Sequence, residues 1–400
     1  MANDKQNTNP NVPNKGNVPR LRFPEFTEDW TRCTIGDYGN VITGSTPSTN
    51  DAENYDNGTY LWASPADLGG TKYIELTQTK LTDKGFAKTR CFPANSILVT
   101  CIGSTIGKMG MSKIAMSTNQ QINTIVPTGH DANFVYYALQ SRFPRYLSSI
   151  AVQAVPIISK SAFEKLENHT TQIDEQNKIG SFLSLLDERI NTQNKIIEQL
   201  QSLIKGICNK LLYAENGKQV RLADMLTERT ERTRENNQHE VLSSTIKGIF
   251  SQREYFSKDI ASENNIGYKV IRLYDIVLSP QNLWMGNINY NEKNKIGIVS
   301  PSYKIFSIKP EYDKKFVAAM LKTHRALYNY MLVSEQGASI VRRNLNMEAF
   351  EQLVFKMPPY DKQREIGKTL SFLQSRLELE TEIKSDYEQQ KKYLLTEMFI

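Results

Sequence analysis

Apolar residues recur at alternating spacings of four and three positions along a proline-free segment from Asp174 to Leu212. This spacing predicts a helix with one continuous apolar seam, which is the pattern of a coiled coil. At 1.5 Å per residue the helix would be on the order of 55–60 Å long, which exceeds what a compact domain needs. With the polar Gln193 among them, the seam residues are Ile179, Leu183, Leu186, Ile190, Ile197, Leu200, Ile204, Ile207 and Leu211.

A second helix of similar length is predicted from Asp361 to the C-terminus, directly after the helix-breaking Pro358-Pro359. Its seam weakens in the middle, where Glu380 and Lys384 occupy seam positions. Two helices of equal length most simply pair antiparallel, with a globular domain at each end. The apolar seam residues of this helix are Ile366, Leu370, Leu373, Leu377, Tyr387, Leu394 and Met398.

The chain contains an internal repeat, because a shift of 187 positions (361 − 174) superimposes the edges of its two halves. Between these edges the two halves differ in sequence. Two halves with the same edges but different sequences between them suggest that one function is performed on two different targets. The shift places Ile35-Gly36-Asp37 on Leu222-Ala223-Asp224, Ala162-Phe163-Glu164 on Ala349-Phe350-Glu351, and Asp174, Gln176 and Gly180 on Asp361, Gln363 and Gly367.

Each half is predicted to contain a mixed α/β domain. The fold class is therefore α/β in the α+β sense: two similar domains, related by a pseudo-twofold repeat and separated by two long antiparallel helices that form a coiled coil. The predicted strands are Ser96–Cys101, Ile122–Val126, Asp275–Leu278 and Tyr303–Ile308, and the predicted helices are Ala132–Gln140 and Lys314–Leu327. The predicted segments are a flexible tail 1–20, a domain 21–165, a helix 166–215, a domain 216–355 and a helix 356–400.

Composition is typical of a globular protein, since 39% of the 400 residues are hydrophobic and 23% are charged. No apolar run approaches the roughly 20 residues that a membrane span needs, and the N-terminal segment lacks the apolar core of a secretory signal. We therefore expect a soluble cytoplasmic protein without a membrane partner. The net charge of +6 is compatible with phosphate contact but does not require it. Two basic clusters occur, at Lys80, Lys84, Lys88 and Arg90 and at Arg229, Arg232 and Arg234.

The sequence offers no convincing catalytic, cofactor or metal site. Gly103–Met109 resembles a phosphate-binding loop, but it has three residues between its glycines instead of four and a methionine where magnesium needs a hydroxyl. Met357-Pro358-Pro359-Tyr360 is similar to an amino-methyltransferase motif, but it lacks the first amide or carboxylate. The four cysteines and four histidines lack metal-ligand spacing. We therefore expect a chain that is not an enzyme by itself.

The chain resembles the specificity subunit of bacterial type I restriction-modification systems, which serve host defence. The resemblance rests on two variable domains, each followed by a helix that begins with Asp174-Glu175-Gln176-Asn177-Lys178-Ile179-Gly180 or Asp361-Lys362-Gln363-Arg364-Glu365-Ile366-Gly367. The opening Leu21–Phe26, followed by Trp30 and Ile35-Gly36-Asp37, is also similar to this family.

The resemblance implies that each variable domain is a target recognition domain that reads one half of a bipartite, asymmetric sequence in double-stranded DNA. It implies that the helical spacer sets the gap and binds two methyltransferase subunits, to which restriction and translocase subunits are added. These partners would use S-adenosylmethionine, ATP and Mg, and this chain would hold no cofactor of its own.

Polar loop residues are the candidates for DNA contact, because amides and guanidinium groups suit base edges and lysines suit phosphates. Trp62 and Trp284 are the two candidates most readily explained as core residues instead. The candidates in the first domain are Thr43, Ser45, Trp62, Ser64, Asp67, Lys108, Asn119 and Gln120. Those in the second domain are Arg229, Arg232, Lys247, Gln252, Arg253, Gln281, Asn282 and Trp284.

Two other functions fit parts of the same pattern. One is a fused methyltransferase or nuclease whose active site is unrecognised, although the missing cofactor and metal motifs argue against it. The other is a self-contained DNA-binding repressor, for which heptads of this length are excessive. Methylation by the purified chain alone would favour the first, and failure to assemble with methyltransferase subunits would favour the second.

Overall fold

The computed structural model describes residues 17–149, 156–211, 217–255, 264–336 and 342–400. Most of the predicted tail therefore lies outside the described residues, as does the predicted end of the first long helix at Glu215-Asn216. The chain divides into two compact units. Unit 1 comprises Met1–Lys195 and Glu382–Ile400, and unit 2 comprises Ile196–Thr381.

The division falls inside the two long helices, so each of these helices contributes to both units. The helices of the chain are α1 (Asp83–Ala87), α2 (Ala132–Ser149), α3 (Lys160–Glu164), α4 (Ile173–Leu211), α5 (Leu222–Met225), α6 (Gln252–Tyr255), α7 (Lys314–Leu321), α8 (His324–Leu332), α9 (Met347–Glu351) and α10 (Tyr360–Glu397).

Unit 1 contains a mixed five-stranded sheet, a mixed four-stranded sheet and a two-stranded pair. Its strands are β1 (Thr31–Thr34), β2 (Gly39–Thr43), β3 (Tyr60–Ala63), β4 (Tyr73–Ile74), β5 (Thr79–Leu81), β6 (Cys91–Phe92), β7 (Ile97–Thr100), β8 (Met109–Ser112), β9 (Met116–Thr118), β10 (Ile122–Pro127) and β11 (Glu167–Thr170). The strand orders are β2-β10-β7-β8-β4, β5-β3-β9-β6 and β1-β11. Only the pairs β4–β8 and β3–β9 are parallel among the described strands of this unit.

The first three residues of the central strand β7 are apolar because both of its faces are covered. Ile97 and Val99 belong to the core cluster beneath α2, whereas Leu98 points into the core between the two sheets. All three side chains are fully buried. This double burial explains why the strand reads as an uninterrupted apolar run in the sequence.

Unit 2 has a four-stranded antiparallel sheet and four two-stranded pairs in its described part. Its strands are β12 (Lys218–Arg221), β13 (Leu226–Arg229), β14 (Leu242–Thr245), β15 (Gly248–Ser251), β16 (Lys269–Arg272), β17 (Ile276–Leu278), β18 (Ile288–Tyr290), β19 (Ile296–Val299), β20 (Lys304–Ile308), β21 (Ser334–Gln336), β22 (Arg343–Leu345) and β23 (Val354–Met357). The orders are β13-β20-β17-β18, β12-β23, β14-β15, β16-β19 and β21-β22. As in β7, alternate residues of β17 face two different core clusters.

The internal repeat is confirmed at the level of secondary structure. The 187-residue shift maps the bounds of β1 onto β12, α3 onto α9 and β11 onto β23, and it maps the first residue of α4 onto that of α10. Strands β1 and β11 pair with each other in unit 1, just as β12 and β23 pair in unit 2. The two halves therefore have the same secondary-structure elements at their edges and different sequences between them.

Two of the predicted helices have different bounds in the structure. The segment Lys314–Leu327, predicted as one helix, is divided into α7 and α8. Thr323 begins the second helix by accepting a hydrogen bond from the backbone N–H of Ala326, so the chain stops and restarts there. Conversely, α2 extends to Ser149 rather than ending at Gln140, and it contains Pro144.

The predicted seam residues are most deeply buried where the long helices join a domain core. In unit 1, the first part of α4 and the last part of α10 enter one cluster; in unit 2, the last part of α4 and the first part of α10 do so. In each unit the beginning of one long helix therefore shares a core with the end of the other, as expected of antiparallel helices. The buried apolar seam residues are Ile179, Leu183, Leu186, Ile366, Leu370, Leu394 and Met398, and the polar seam residue Gln193 is also buried.

The seam is less buried between these ends. Glu380, at a seam position, is buried and forms an ion pair with Arg376, and Lys384 pairs with Glu388. The side chain of Leu211 lies outside the described residues. The half-buried seam residues are Ile190, Ile197, Leu200, Ile204, Ile207, Leu373, Leu377 and Tyr387.

A close contact joins α4 to the domain helix α2 in unit 1. The backbone N–H of Asp131 donates to Gln176 Oε1 at 3.0 Å, and Asp131 Oδ1 accepts from the N–H of Phe134 at 2.7 Å. A Cβ on Gly180 would lie 2.2 Å from Asp131 Oδ1. Glycine is therefore required where the two helices approach each other, and the buried Gln176 fixes their register.

The same contact recurs in unit 2. The N–H of Asp313 donates to Gln363 Oε1 at 3.0 Å, and Asp313 Oδ1 accepts from the N–H of Phe316 at 2.9 Å. A Cβ on Gly367 would lie 2.5 Å from Asp313 Oδ1. We call these two contacts the glycine joints. They explain why Gln176, Gly180, Gln363 and Gly367 are repeated.

Substitution of glycine by alanine should have opposite effects at two positions of α4. Gly180→Ala should lower the free energy of unfolding by about 1–3 kcal/mol because the methyl group overlaps Asp131. Gly206→Ala should raise it by about 1 kcal/mol, since nothing lies within 4 Å of its Cβ position and alanine favours a helix. Denaturant titration of the full chain checks both values. A Gly180→Ala variant as stable as wild type would contradict the glycine joint, and destabilisation by Gly206→Ala would show that its Cβ position is not open.

Candidate nucleic-acid interface

One group of predicted contact residues in unit 1 lies together near the ends of β2, β3 and β9. Trp62 is buried, and its indole N–H donates to the carbonyl oxygen of Ser45 at 3.0 Å. The Thr46 hydroxyl bonds to the exposed Gln120. Trp62 therefore supports a polar surface. The members of this group are Thr43, Ser45, Trp62, Asn119 and Gln120.

Arg90 was not among the sequence candidates but belongs to this group. Its backbone N–H donates to Ser45 Oγ at 3.0 Å, and its Nη1 donates to the carbonyl oxygen of Thr43 at 2.8 Å. The basic cluster at residues 80–90 was the signal in the sequence. Within that cluster, Lys84 and Lys88 form ion pairs with Asp51, so they are partly neutralised.

Ser64 and Asp67 lie in a turn and stabilise it. The backbone N–H and the hydroxyl of Ser64 both donate to Asp67 Oδ2 at 2.8 Å, and the N–H of Gln78 donates to Asp67 Oδ1 at 2.8 Å. Both carboxylate oxygens of Asp67 are therefore used within the fold. Lys108 is exposed on the turn that joins β7 to β8, with its aliphatic chain beside Gly69.

The two arginine candidates of unit 2 make contacts within the domain. Arg229 Nε lies 2.9 Å from Asp275 Oδ1, and the Asp275 side chain is buried. Burial raises the pKa of Asp275, although the Arg229 guanidinium opposes this shift. Arg232 is exposed, and its Nη1 donates to the carbonyl oxygen of Gly267 at 2.9 Å. Arg229 therefore has a structural role in addition to any contact with DNA.

The other candidates of unit 2 lie at the β14–β15 hairpin and beside a short 3-10 helix, Leu283–Met285. Lys247 and Arg253 are exposed on or directly after the hairpin, and Gln252 Nε2 donates to Ser243 Oγ at 3.0 Å. Gln281 is exposed, whereas Asn282 and Trp284 are half-buried.

A buried polar network next to this hairpin was missed by the sequence analysis. Ser244 Oγ donates to Asn287 Oδ1 at 2.9 Å, Asn289 Nδ2 donates to Ser244 Oγ at 2.7 Å, and Lys322 Nζ donates to Asn289 Oδ1 at 2.6 Å. Burial lowers the pKa of Lys322. The alternation of Asn287 and Asn289 with the apolar Ile288 was the available signal, because it places both amides on one face of β18.

A second buried network in unit 1 surrounds the ammonium group of Lys72. Its Nζ donates to Asn133 Oδ1 and Ser184 Oγ at 2.7 Å and to the Tyr137 hydroxyl at 3.1 Å, and it lies 4.6 Å from the centroid of the Tyr137 ring. Asp187 accepts from Tyr137 and from Lys391. Burial lowers the pKa of Lys72 to about 8. Lys72 thus links the turn before β4 to α2 and α4.

The surfaces described above carry amides, hydroxyls and guanidinium groups, which are the groups that bond base edges and phosphates. Among the described residues no cluster of three His, Cys, Asp or Glu side chains could hold a metal ion. Within the same residues, the helices include none that is both long and apolar enough to cross a membrane.

Comparison with known families identifies the first half of the chain. Residues 27–202, which span the first domain and most of α4, match the type I restriction modification DNA specificity domain. Residues 27–202 belong to this specificity-domain family. The family predicted from the duplicated helix-start motif is thereby confirmed.

The curated relatives of this specificity domain are also named as specificity subunits. The chain is 32% identical over 186 residues to the MjaIX type I restriction enzyme specificity subunit of Methanocaldococcus jannaschii, covering 44% of this chain and 43% of the relative. It is 27% identical over 183 residues to the EcoR124I/EcoR124II specificity subunit of Escherichia coli, covering 43% of this chain and 44% of the relative. These alignments span less than half of the curated relatives' length. They support neither a fused enzyme nor a repressor.

Solved structures extend the similarity of fold beyond the specificity domain. The S subunit of a type I restriction-modification system from M. genitalium aligns with a TM-score of 0.65 at 17% identity, covering 96% of this chain and 99% of that one. A chain from a structure of type I restriction-modification complex assembly aligns with a TM-score of 0.50 at 12% identity, covering 92% of this chain and 96% of that one. Together with the repeat, the first alignment confirms the predicted fold.

The Lys72 network predicts a pH-dependent contribution to stability. Below pH 8 Lys72 is protonated in both the folded and the unfolded chain, so the cost of burying its charge is fully present. Between about 8 and the ordinary value of 10.5 the unfolded chain holds more protons, and stability therefore rises with pH. The charged groups around Lys72 are Asp187, Lys391, Asp131 and Glu188.

Lys72→Met should remove this contribution. Thermal unfolding at pH 7 and pH 10 should show wild type gaining stability relative to Lys72→Met as the pH rises. The matched substitution is Lys160→Met, at an exposed lysine of α3. The stability difference between this variant and wild type should be the same at pH 7 and at pH 10. Equal pH dependence of wild type and Lys72→Met would show that Lys72 is not a buried cation.

Proposed function

We propose that this chain is the non-catalytic specificity subunit of a type I restriction-modification complex. Each domain reads one half of a bipartite DNA sequence, and α4 and α10 hold the two readers. The observation that carries the proposal is the pair of glycine joints, because they attach two different domains to two long helices by one shared geometry. A shared attachment with different interiors is what two half-sites of one target require.

The candidate surfaces of the two units support separate readout. The Trp62 group in unit 1 presents Gln120 and Arg90, whereas the hairpin of unit 2 presents Lys247 and Arg253. Both sets contain an arginine, but they differ in the second residue and in backbone setting. The helix α4 has 39 residues, which suits a rigid spacer between two DNA-reading domains. Two such domains held apart typically read half-sites about one duplex turn, roughly 34 Å, apart.

The repeat also supports two identical protein partners. Leu185 on α4 and Phe372 on α10 occupy equivalent repeat positions, and their side chains are 60% and 71% exposed. Ile173 and Tyr360 are a second exposed pair related by the same shift. Exposed apolar side chains at repeated positions fit one methyltransferase subunit on each unit. Those subunits would supply S-adenosylmethionine, and restriction and translocase subunits would supply ATP- and Mg-dependent cleavage.

Exchange of residues 21–165 for the equivalent domain of another specificity subunit should change one half-site only. Such a chimera retains Gln176 and Gly180 on α4, while the incoming domain supplies the residue at position 131. The second domain lies outside the exchanged segment, so its half-site should be unaffected. The methylated motif of the chimera, determined by genome-wide methylation mapping, checks this. A change in both half-sites would refute independent readout.

Charge introduced at the repeated apolar positions should reduce partner binding in steps. Leu185→Asp or Phe372→Asp alone should reduce the complex from two methyltransferase subunits to one, and the double variant should bind none, as measured by native mass spectrometry. Leu203→Asp is the matched control, because Leu203 is exposed on α4 but its repeat equivalent is Gln390. Two bound subunits in the double variant would exclude this surface.

A further inference from the structure

A groove with a volume of about 870 Å³ runs between the domain of unit 1 and the helices of the same unit. One wall consists of the turns that contain Gly69-Gly70 and Lys108 and the last part of α2. The other wall consists of the α4 segment 187–194 and the α10 segment 384–396. The groove is thus open between a recognition domain and its helical support.

The groove carries an excess of positive charge. Its two acidic residues are already paired, since Asp187 Oδ1 lies 2.6 Å from Lys391 Nζ and Glu388 lies 3.6 Å from Lys384 Nζ. Three further cations line it and are exposed, and they form no ion pair within the part of the chain that the structure describes. These cations are Lys108, Arg145 and Lys392.

The three cations stand on three different elements, namely the β7–β8 turn, α2 and α10. Neutral amide donors line the same groove, at Gln140, Asn191 and Asn194. Lysine, arginine and amide side chains are the groups that most often bond to DNA phosphates, and they do so without reading sequence. The cations and amides of the groove therefore fit a polyanion.

Glycines make one wall accessible to a backbone. Gly69 has a φ of +88°, and the Cβ position of Gly70 has nothing within 4 Å. This segment lies beside the aliphatic chain of Lys108. Because these two residues have no side chains, a sugar-phosphate chain can approach the backbone closely beside Lys108.

The lysine on α10 has a counterpart in unit 2. Lys205 on α4 is related to Lys392 by the 187-residue shift, and it is exposed. A lysine is therefore present at the same repeat position of both long helices.

We propose that the groove binds the sugar-phosphate backbone of DNA beside the first half-site through Lys108, Arg145 and Lys392. The inference rests on the proposed function and extends it, because it makes the spacer helix α10 a DNA-contacting element. Such contacts fix the position of the duplex and contribute affinity, while the bases are read elsewhere.

The test uses the full chain in complex with its methyltransferase subunits and measures DNA affinity over a range of salt concentrations. Each lost phosphate contact should reduce the slope of log K against log salt by about 0.9. The triple variant Lys108→Gln, Arg145→Gln, Lys392→Gln should therefore lose about 2–3 units of slope, on target and random DNA alike. The methylated motif should not change.

Two controls separate charge from structure. The first control is the triple variant Lys108→Arg, Arg145→Lys, Lys392→Arg. It retains all three positive charges, so it should retain the wild-type slope. Lys160→Gln, outside the groove, should also have the wild-type slope.

The possible outcomes are distinguishable. If the wild-type complex binds no DNA, the proposed function itself fails. If wild type binds DNA and the triple glutamine variant keeps its slope, the groove proposal fails alone. Loss of methyltransferase binding in that variant, with an unchanged slope, would show that the groove binds a protein segment and would overturn the proposal.

Discussion

The close approach of a helix glycine to the aspartate that begins a domain helix is the contact on which this architecture depends. At Gly180 and at Gly367 there is no room for a side chain, since an aspartate oxygen lies 2.2 or 2.5 Å from the Cβ position. The neighbouring glutamine accepts the aspartate's own N–H, and the aspartate caps the domain helix. Each domain is thereby attached to its long helix in one orientation.

The residues of each joint lie at the start of a long helix and at the start of one domain helix. The sequence of the rest of each domain can therefore differ without changing this attachment. The two units use this freedom differently. Unit 1 places a buried tryptophan beneath Ser45, whereas unit 2 places Asn287 and Asn289 beneath a hairpin. Unit 1 also has a buried pair between Arg22 and Glu175, and the repeat places Lys362 of unit 2 at the position of Glu175. The repeat therefore retains the glycine joint but not this ion pair.

The features predictable from the sequence were those with a local or periodic signature. The seam residues, the repeat and the strands β7 and β17 follow from spacing and apolar runs. The break at Thr323 was missed because a cap needs only one hydroxyl, and the apolar pattern continues through it. The roles of Asp67 and Arg229 could not be predicted, because their partners Gln78 and Asp275 are set by tertiary packing. The groove beside Lys108 combines elements that are far apart in sequence.

The most direct test is to co-express the chain with a cognate type I methyltransferase subunit and to map methylated adenines across the host genome by single-molecule sequencing. The account predicts a split motif, with two short defined halves of different sequence around a gap of fixed length. A stable complex that methylates a single continuous motif, or a chain that forms no complex and directs no methylation, would contradict it.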